Sequence, residues 1–567
     1  MLTTSSVIWM QVLQDSNKVN RVLLAGLIAA IVALLNIAPF AMIDPGPDVQ
    51  LHYSFIRCFA DAFWRGEGYT RWCMAANTEL GAPAFLIYFP LTYLVTALVY
   101  PLTYMGISIM DLVYVGFYLN ALFTIFTTWY WLKHIVSSKV AFFAACLFLF
   151  APYRAELLYT RSGYAELWCL SLAPLLLLYS RFLLQRQKGA WLKLGSVMAI
   201  AIITHVPQAI ILTLLCGLYV LILGKGQWQY IKKLMAAAVL AVALSAFQWM
   251  PTMHYHHYIN SESLTIITQS WVSRAYVFDK TKSASLVLLM LNAIFTCLLI
   301  VLLGVQLSKK KEQITNRLCQ MEIILLPILS ITALAFAMGA LPSFWSFSYL
   351  LQTLISPWRM LSVMSLVLIY LLAIRIHWRI TSAKDGTIRF ETAMMTFMIM
   401  LLSIIPTTKW DTATVGIEQS IRTHFFSFNE YYSQWTRKDV RSLESMMARL
   451  DKKPPFTTII SGDAKLKAIM QGNYFNVESE SKKGARVRID HFYFPVWKAR
   501  DEAGNVLALQ AEQGSGRMLL DVPAGKHNIQ ITQSIFHDRP WLIWTSQLVS
   551  LFTGLATLCA FRPVRRF

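Results

Sequence analysis

The feature that most constrains this chain is a succession of apolar runs, each long enough or nearly long enough to cross a bilayer as a helix. They occupy 22–43, 85–104, 110–131, 140–158, 166–183, 192–205, 209–223, 234–250, 285–307, 323–341, 358–376, 391–406 and 541–561. About twenty apolar residues rising 1.5 Å each cover a hydrocarbon core of about 30 Å. A chain with about thirteen such runs cannot bury them in one water-soluble core. Because lipid offers backbone groups no hydrogen bonds, the runs are expected to be helical. Composition agrees, with 56% hydrophobic and only 14% charged residues, against about a quarter charged in soluble domains.

The net charge of +20 raises nucleic acid as a partner, but its distribution argues against one. Lys and Arg fall in short clusters between apolar runs, at 133–139, 181–193, 225–233, 309–317, 375–389 and 562–566. Such clusters mark cytoplasmic loops, so both termini are expected inside. Termini on one side require an even number of crossings, hence about twelve full spans. The exception is 85–104, broken by Pro90 and Pro101 and followed by no basic residue at 105–108; it is expected to re-enter from outside. The run 22–43 is too long for a signal-peptide core and is read as a retained first helix.

The loops then expected outside are 44–83, 153–165, 205–208, 251–283, 342–357 and 407–539. The last is the one stretch with the look of a soluble domain. It opens with an amphipathic helical pattern over 429–450, then alternates apolar and polar residues, as at 485–493 and 517–522, with turn signals at 501–505 and 523–526. This predicts a small β-sandwich. The fold class is thus an all-α polytopic membrane protein of about 12–13 segments with a small extracytoplasmic α+β or β-sandwich domain. Its parts are a transmembrane domain 1–406 with its first outer loop at 44–83, the outer domain 407–539, and a last helix with basic tail at 540–567. Of eight cysteines, Cys58 and Cys73 alone fall in an outer loop, which allows one disulfide.

The first outer loop is dense in charge: Asp44, Asp48, His52, Arg57, Asp61, Arg65, Glu67, Arg71 and Glu79. Asp48 and His52 stand four apart, so a helix starting after Pro47 puts them on one face, where a carboxylate and an imidazole can share a metal or a proton. Arg154, Arg161 and Arg359 lie at outer boundaries. Guanidinium forks bind phosphate bidentately, and long cations also snorkel to anchor helices. Glu166 opens a span, where an acid can position Arg161, hold a cation, or cap the helix through its dipole. His205 sits at a turn beside Pro207, either as a hydrogen-bonded structural residue or as part of the site. His254, His256 and His257 lack a companion carboxylate pair at ligand spacing and read as a solvated or interfacial loop.

The ordered series Asp48, His52, Gly66, Arg71, Trp72, Gly81 and Tyr88-Phe89-Pro90-Leu91 resembles the opening of a family of bacterial membrane proteins named for a relation to 6-pyruvoyl-tetrahydropterin synthase. Pro152-Tyr153-Arg154, Arg161 with Ala165-Glu166, Thr204-His205 and Pro357-Trp358-Arg359 extend the resemblance over most of the chain. That family is similar to GT-C glycosyltransferases, multi-span enzymes that take sugars from polyprenyl-phosphate donors outside the cytoplasm.

The resemblance implies an inverting transfer to an extracytoplasmic glycan, lipid or protein acceptor in the bacterial inner membrane. Asp48 matches the catalytic acid of the first outer loop. His52, Arg71, Tyr153, Arg154, Arg161, Glu166, His205 and Arg359 would bind substrate or its phosphate. A divalent cation, Mg or Mn, would sit on Asp48 and His52. The module after the spans, with 493–497, Gly504, Gly516 and 523–527, would dock the acceptor or pack. Membrane lipids are the remaining partner. A lipid-saccharide flippase and a non-catalytic scaffold for envelope glycan assembly are the alternatives. No Walker loop, Rossmann fingerprint, HExxH helix or GxSxG elbow is present, which disfavours nucleotide hydrolysis and serine chemistry.

Overall fold

A computed structural model describes residues 24, 26–28, 30–34, 48–259, 284–314, 316–338, 356–382, 431–437, 449 and 454–561. The protein is a polytopic, mostly helical membrane protein with a C-terminal β domain. Among the described residues, seven helices are long and apolar enough to cross: Asp111–Leu132, Tyr164–Leu184, Val206–Leu223, Met290–Ser308, Arg317–Ala337, Pro357–Thr381 and Pro540–Ala560. Two broken pairs, one either side of 149–151 and one either side of Ser245, raise this to nine if each counts as one span. The expected run 192–205 forms Ala190–Thr204, whose 15 residues rise only about 22 Å. The run 391–406 and most of 22–43 lie outside the described residues.

The chain divides into two compact units. The first comprises Met1–Val49, Leu102–Val242 and Thr265–Thr412. Its helices begin where caps permit. Ser108 and Asp111 form a reciprocal capping box at Ile109–Leu132, and Asn316 accepts from Leu318 and Cys319 at the start of Arg317–Ala337, each satisfying donors a helix leaves free. The central helix is Leu361–Ser382, along which every residue from Leu366 to Ala373 is almost wholly buried. On outer helices Leu122, Phe126, Leu214, Leu298 and Leu302 are about half exposed, as lipid-facing residues are. Gly116 admits the ring of Tyr164, whose hydroxyl occupies the space that a Cβ there would need.

Arg181, assigned from sequence to a cytoplasmic basic loop, is instead in the last turn of Ala173–Leu184 and 1% exposed. Its Nη1 donates to both oxygens of Glu322, which also accepts from Tyr219 and Tyr370. A charge so deeply buried must be paired, and this pair with its two tyrosines ties together four helices. Neither sequence separation nor hydropathy reveals such a partner.

The second unit comprises Gln50–Pro101, Ala243–Leu264 and Ala413–Phe567. The run 85–104 is broken as Pro90 predicts, into Ala84–Ile87 and Leu91–Leu98 followed by a tight turn, Tyr100–Met105. Cys58 and Cys73 form a disulfide, their Cα atoms 5.6 Å apart.

The expected sandwich is present as two antiparallel sheets. Strands β1 (Thr457–Gly462), β4 (Ala485–Phe492), β8 (Arg517–Val522) and β7 (Leu509–Ala511) form one, in the order β1-β4-β8-β7. The other runs β2 (Lys465–Gln471), β3 (Tyr474–Ser481), β9 (Gly525–Gln533), β5 (Trp497–Arg500), β6 (Val506–Leu507). Alternation supplies the shared core: Val487, Ile489, Met518 and Leu520 face Phe475, Val477, Ile529 and Ile531, as period-2 strands require. Asp501 closes the β5–β6 turn by accepting from the backbone of Ala503 and Asn505. The helical pattern at 429–450 is corrected at its start, since 431–437 are turns and isolated bridges, Thr436 pairing with Gly514 and Ser515. Of the rest only Arg449 is described.

Candidate functional site

Five side chains of the first unit meet at one cluster: Asp48, Tyr153, Arg161, Glu166 and Arg359. Glu166, in the first turn of Tyr164–Leu170, is 2% exposed and is the hub. Its Oε1 accepts from the Tyr153 hydroxyl. Its Oε2 accepts from Arg161 at 3.4 Å and from Arg359 Nε at 3.0 Å. The capping role open to it from sequence is thus exceeded by an ionic one, because three donors compensate a carboxylate that burial alone would make costly.

Local backbone aims these groups. Pro152 opens the short helix that carries Tyr153, and the π-turn Glu156–Arg161 follows it. Ser162 ends that turn in the left-handed region, at φ 57° and ψ 38°. π-Turns and left-handed non-glycine residues recur at functional sites. Here they turn Arg161 so that it reaches Glu166 with one nitrogen and Asp48 Oδ2, at 3.2 Å, with another. The Asp48 backbone N–H also donates to the Arg161 carbonyl at 3.1 Å. Arg359 comes from the tight turn Pro357–Met360. Both guanidinium groups lie near the Trp358 ring centroid, at 5.6 and 5.8 Å, in cation–π range.

Exposure is graded across the cluster: 2% for the Glu166 side chain, 13% for Arg359, 20% for Arg161 and 37% for Asp48. Asp48 is the accessible end of a charge network whose other end is sealed. Arg161 and Arg359 balance Asp48 and Glu166, and the buried Glu156 stands within electrostatic reach of Arg161. Tyr153 also lines a mostly apolar cleft with Asn292, Thr296, Leu361, Met364 and Ser365.

The remaining candidates are placed elsewhere. Arg154, at the next position after Tyr153, is buried and donates to Thr124 and Asn120 of Ile109–Leu132. In the second unit, Arg71 donates to Gln248, to the Tyr69 hydroxyl and to the carbonyls of Phe85 and Phe247. Burial lowers its pKa and holds that of Tyr69 up to about 12. His52 joins the Tyr93 hydroxyl at 2.7 Å and stacks on its ring. His205 caps Val206–Leu223, Nδ1 accepting from the Gln208 N–H at 3.3 Å, and lies within electrostatic reach of Glu166. His254, from the triple set apart above, pairs with Asp538 at 3.1 Å.

No protein-family model matches this chain, and no curated protein is significantly similar to it.

Sequence reasoning missed the support beneath Arg359. Gln208 donates to the Ser362 hydroxyl at 2.7 Å, Ser362 donates to the Arg359 carbonyl at 2.7 Å, and Arg359 donates to Ser356 at 3.0 Å. Their one advance signal was adjacency, Gln208 to His205 and the two serines to Pro357-Trp358-Arg359. For a divalent cation, Asp48 and Glu166 are each engaged by guanidinium and His52 by Tyr93. Among the described residues no group of three or more His, Cys, Asp or Glu is placed to hold a metal.

Proposed function

We propose that the protein is a GT-C-like inverting glycosyltransferase that moves a sugar from a polyprenyl-phosphate donor to an acceptor on the extracytoplasmic side. The single observation that carries this reading is that Asp48 pairs with Arg161, which shares one buried carboxylate, Glu166, with Arg359. The resemblance in the order of motifs supports it further.

In this reading Asp48 takes the proton of the acceptor hydroxyl. The acceptor oxygen forms a bond to the anomeric carbon from the face opposite the lipid phosphate. The bond between that carbon and the phosphate oxygen breaks, and the phosphate leaves with its electron pair. Arg161 and Arg359 stabilise the charge gathering on it. Glu166, itself held by the Tyr153 hydroxyl, keeps the two guanidinium groups in place. No step is assigned to a metal.

The disulfide supports placing the Asp48 loop outside, since such bonds persist in oxidising compartments. The inner membrane of a bacterium with both termini cytoplasmic is the corresponding location.

The test is transfer of labelled sugar from membrane lipid donors by wild type and Asp48→Asn, with expression and folding matched. Loss of at least about 100-fold is expected for removal of a general base. Undiminished transfer would overturn the assignment of Asp48, and labelled lipid-sugar counterflow in proteoliposomes without covalent product would favour a flippase.

A further inference from the structure

The ionic network is lopsided. Arg161 reaches two carboxylates, and they differ in how firmly each is held. Glu166 is 2% exposed and has three donors: Tyr153, Arg161 and Arg359. The Asp48 carboxylate is 37% exposed, and its one contact among the described residues is the Arg161 nitrogen at 3.2 Å. An exposed ion pair is weak and readily exchanged, whereas separating a buried one leaves charge uncompensated. When a competing anion approaches, the Asp48 side gives way.

We propose that the Asp48–Arg161 ion pair is a displaceable clasp: an anionic ligand of the phosphomonoester or pyrophosphate class takes Asp48's share of the Arg161 guanidinium and so releases the Asp48 carboxylate. This rests on the reading of Arg161 as a phosphate contact given above. Backbone geometry suits the exchange. The bond from Asp48 N–H to the Arg161 carbonyl at 3.1 Å keeps the two residues adjacent while the side chain rotates. Arg161 closes a π-turn that ends at left-handed Ser162, and Glu166 keeps hold of the other guanidinium nitrogen. The consequence is order: before the phosphate arrives the base is neutralised by its partner, and afterwards it is free to accept a proton. A transferase with such a clasp does not present a free base to water while its donor site is empty.

The affinity cost of the closed state gives the test, because a ligand that must first open the clasp binds more weakly by the fraction of molecules open. The probe is geranyl phosphate, titrated into the full-length protein in nanodiscs. Asp48→Asn, which abolishes the competing charge, is expected to bind about fivefold more tightly than wild type. In an Arg161→Gln background the same substitution is expected to change affinity by less than about twofold, since there is no guanidinium to compete for. Where Arg161→Gln binds geranyl phosphate too weakly to titrate, geranyl diphosphate, which carries more charge, serves for the same comparison of backgrounds.

An equal gain in both backgrounds would mean simple charge repulsion and would overturn the clasp. No gain in the wild-type background would overturn it as well. Both results leave the phosphate site standing, provided wild-type binding depends on Arg161. Failure of wild type to bind geranyl phosphate at all would remove the phosphate site, and the clasp with it.

Discussion

Arg359 Nε donates to Glu166 Oε2 at 3.0 Å across 193 residues of sequence. The same oxygen accepts from Arg161, so one buried carboxylate sets the position of both guanidinium groups. Glu166→Gln removes the charge and keeps the shape. Loss of about 3 kcal/mol is expected, as for other pairs broken from one side, with loss of any anion affinity that depends on the two arginines. Thermal unfolding and geranyl phosphate titration of the same preparation check both.

Trp72 donates its indole N–H to His491 Nε2 at 3.0 Å, and His491 Nδ1 meets the Glu79 carbonyl at 3.0 Å. These bonds fix the neutral Nδ1-protonated form and pin the loop 72–82 to β4. Burial, with the positive charge of Arg449 adding to it, pushes the imidazole down to about 3. The unfolded chain takes up this proton near pH 6.5 and the folded one does not, so stability falls as pH drops through that window. From pH 7 to pH 5 the loss from this group is about 2 kcal/mol. Thermal unfolding at the two pH values measures it, and His491→Phe should flatten the slope.

Gly81 lies against that same pair at φ +81°, where a Cβ would collide with the His491 ring and come within 2.6 Å of Trp72 Nε1. Gly81→Ala combines a strained backbone with overpacking. A loss of at least about 2 kcal/mol is expected, read as a lower unfolding temperature and faster proteolysis at 72–82.

Cys58 and Cys73 enclose a short loop that carries both Arg71 and Trp72, the residue that reaches His491. Replacing both with Ser should cost about 3 kcal/mol. In intact cells a membrane-impermeant maleimide should label the two cysteines only after reduction. Labelling without reductant would show the thiols free.

Arg181 and Glu322 form the other buried pair, inside the first unit. Arg181→Met alone should cost about 3–5 kcal/mol, because it strands Glu322, and adding Glu322→Leu should recover a large part of that. The double-mutant cycle in detergent checks the coupling.

Much of the fold was legible because it follows from local chemistry. Apolar runs name helices, and alternation named the strands: 485–493 and 517–522 became β4 (Ala485–Phe492) and β8 (Arg517–Val522). Pro90 marked a real break, and two cysteines in one outer loop marked a real bridge. The candidate cluster draws its five members from the nine residues singled out in the sequence, while His52, Arg71, Arg154 and His205 make other contacts. Asp48, Tyr153, Arg161, Glu166 and Arg359 were all expected, but Arg154 stood on equal terms with Arg161, each an arginine at a helix boundary. The π-turn between them separates their fates, sending Arg154 to Asn120 and Thr124 and Arg161 to Asp48 and Glu166. Gln208, Ser356 and Ser362 were invisible because short polar residues near turns are common and their partners are distant in sequence.

By itself the sequence determined that this chain lives in a bilayer, that it carries a β-sandwich after most of its spans, and which charged residues sit at the boundaries between them. Hydropathy and periodicity settle these, since each residue's contribution depends chiefly on its neighbours in the chain. Tertiary structure alone decided that Asp48 faces Arg161, that Glu166 is held by two arginines, and that Arg181 is sealed against Glu322. Ion pairing depends on distance and desolvation in three dimensions, so the same guanidinium becomes a brace or an anion contact according to what the fold brings within about 3–4 Å of it.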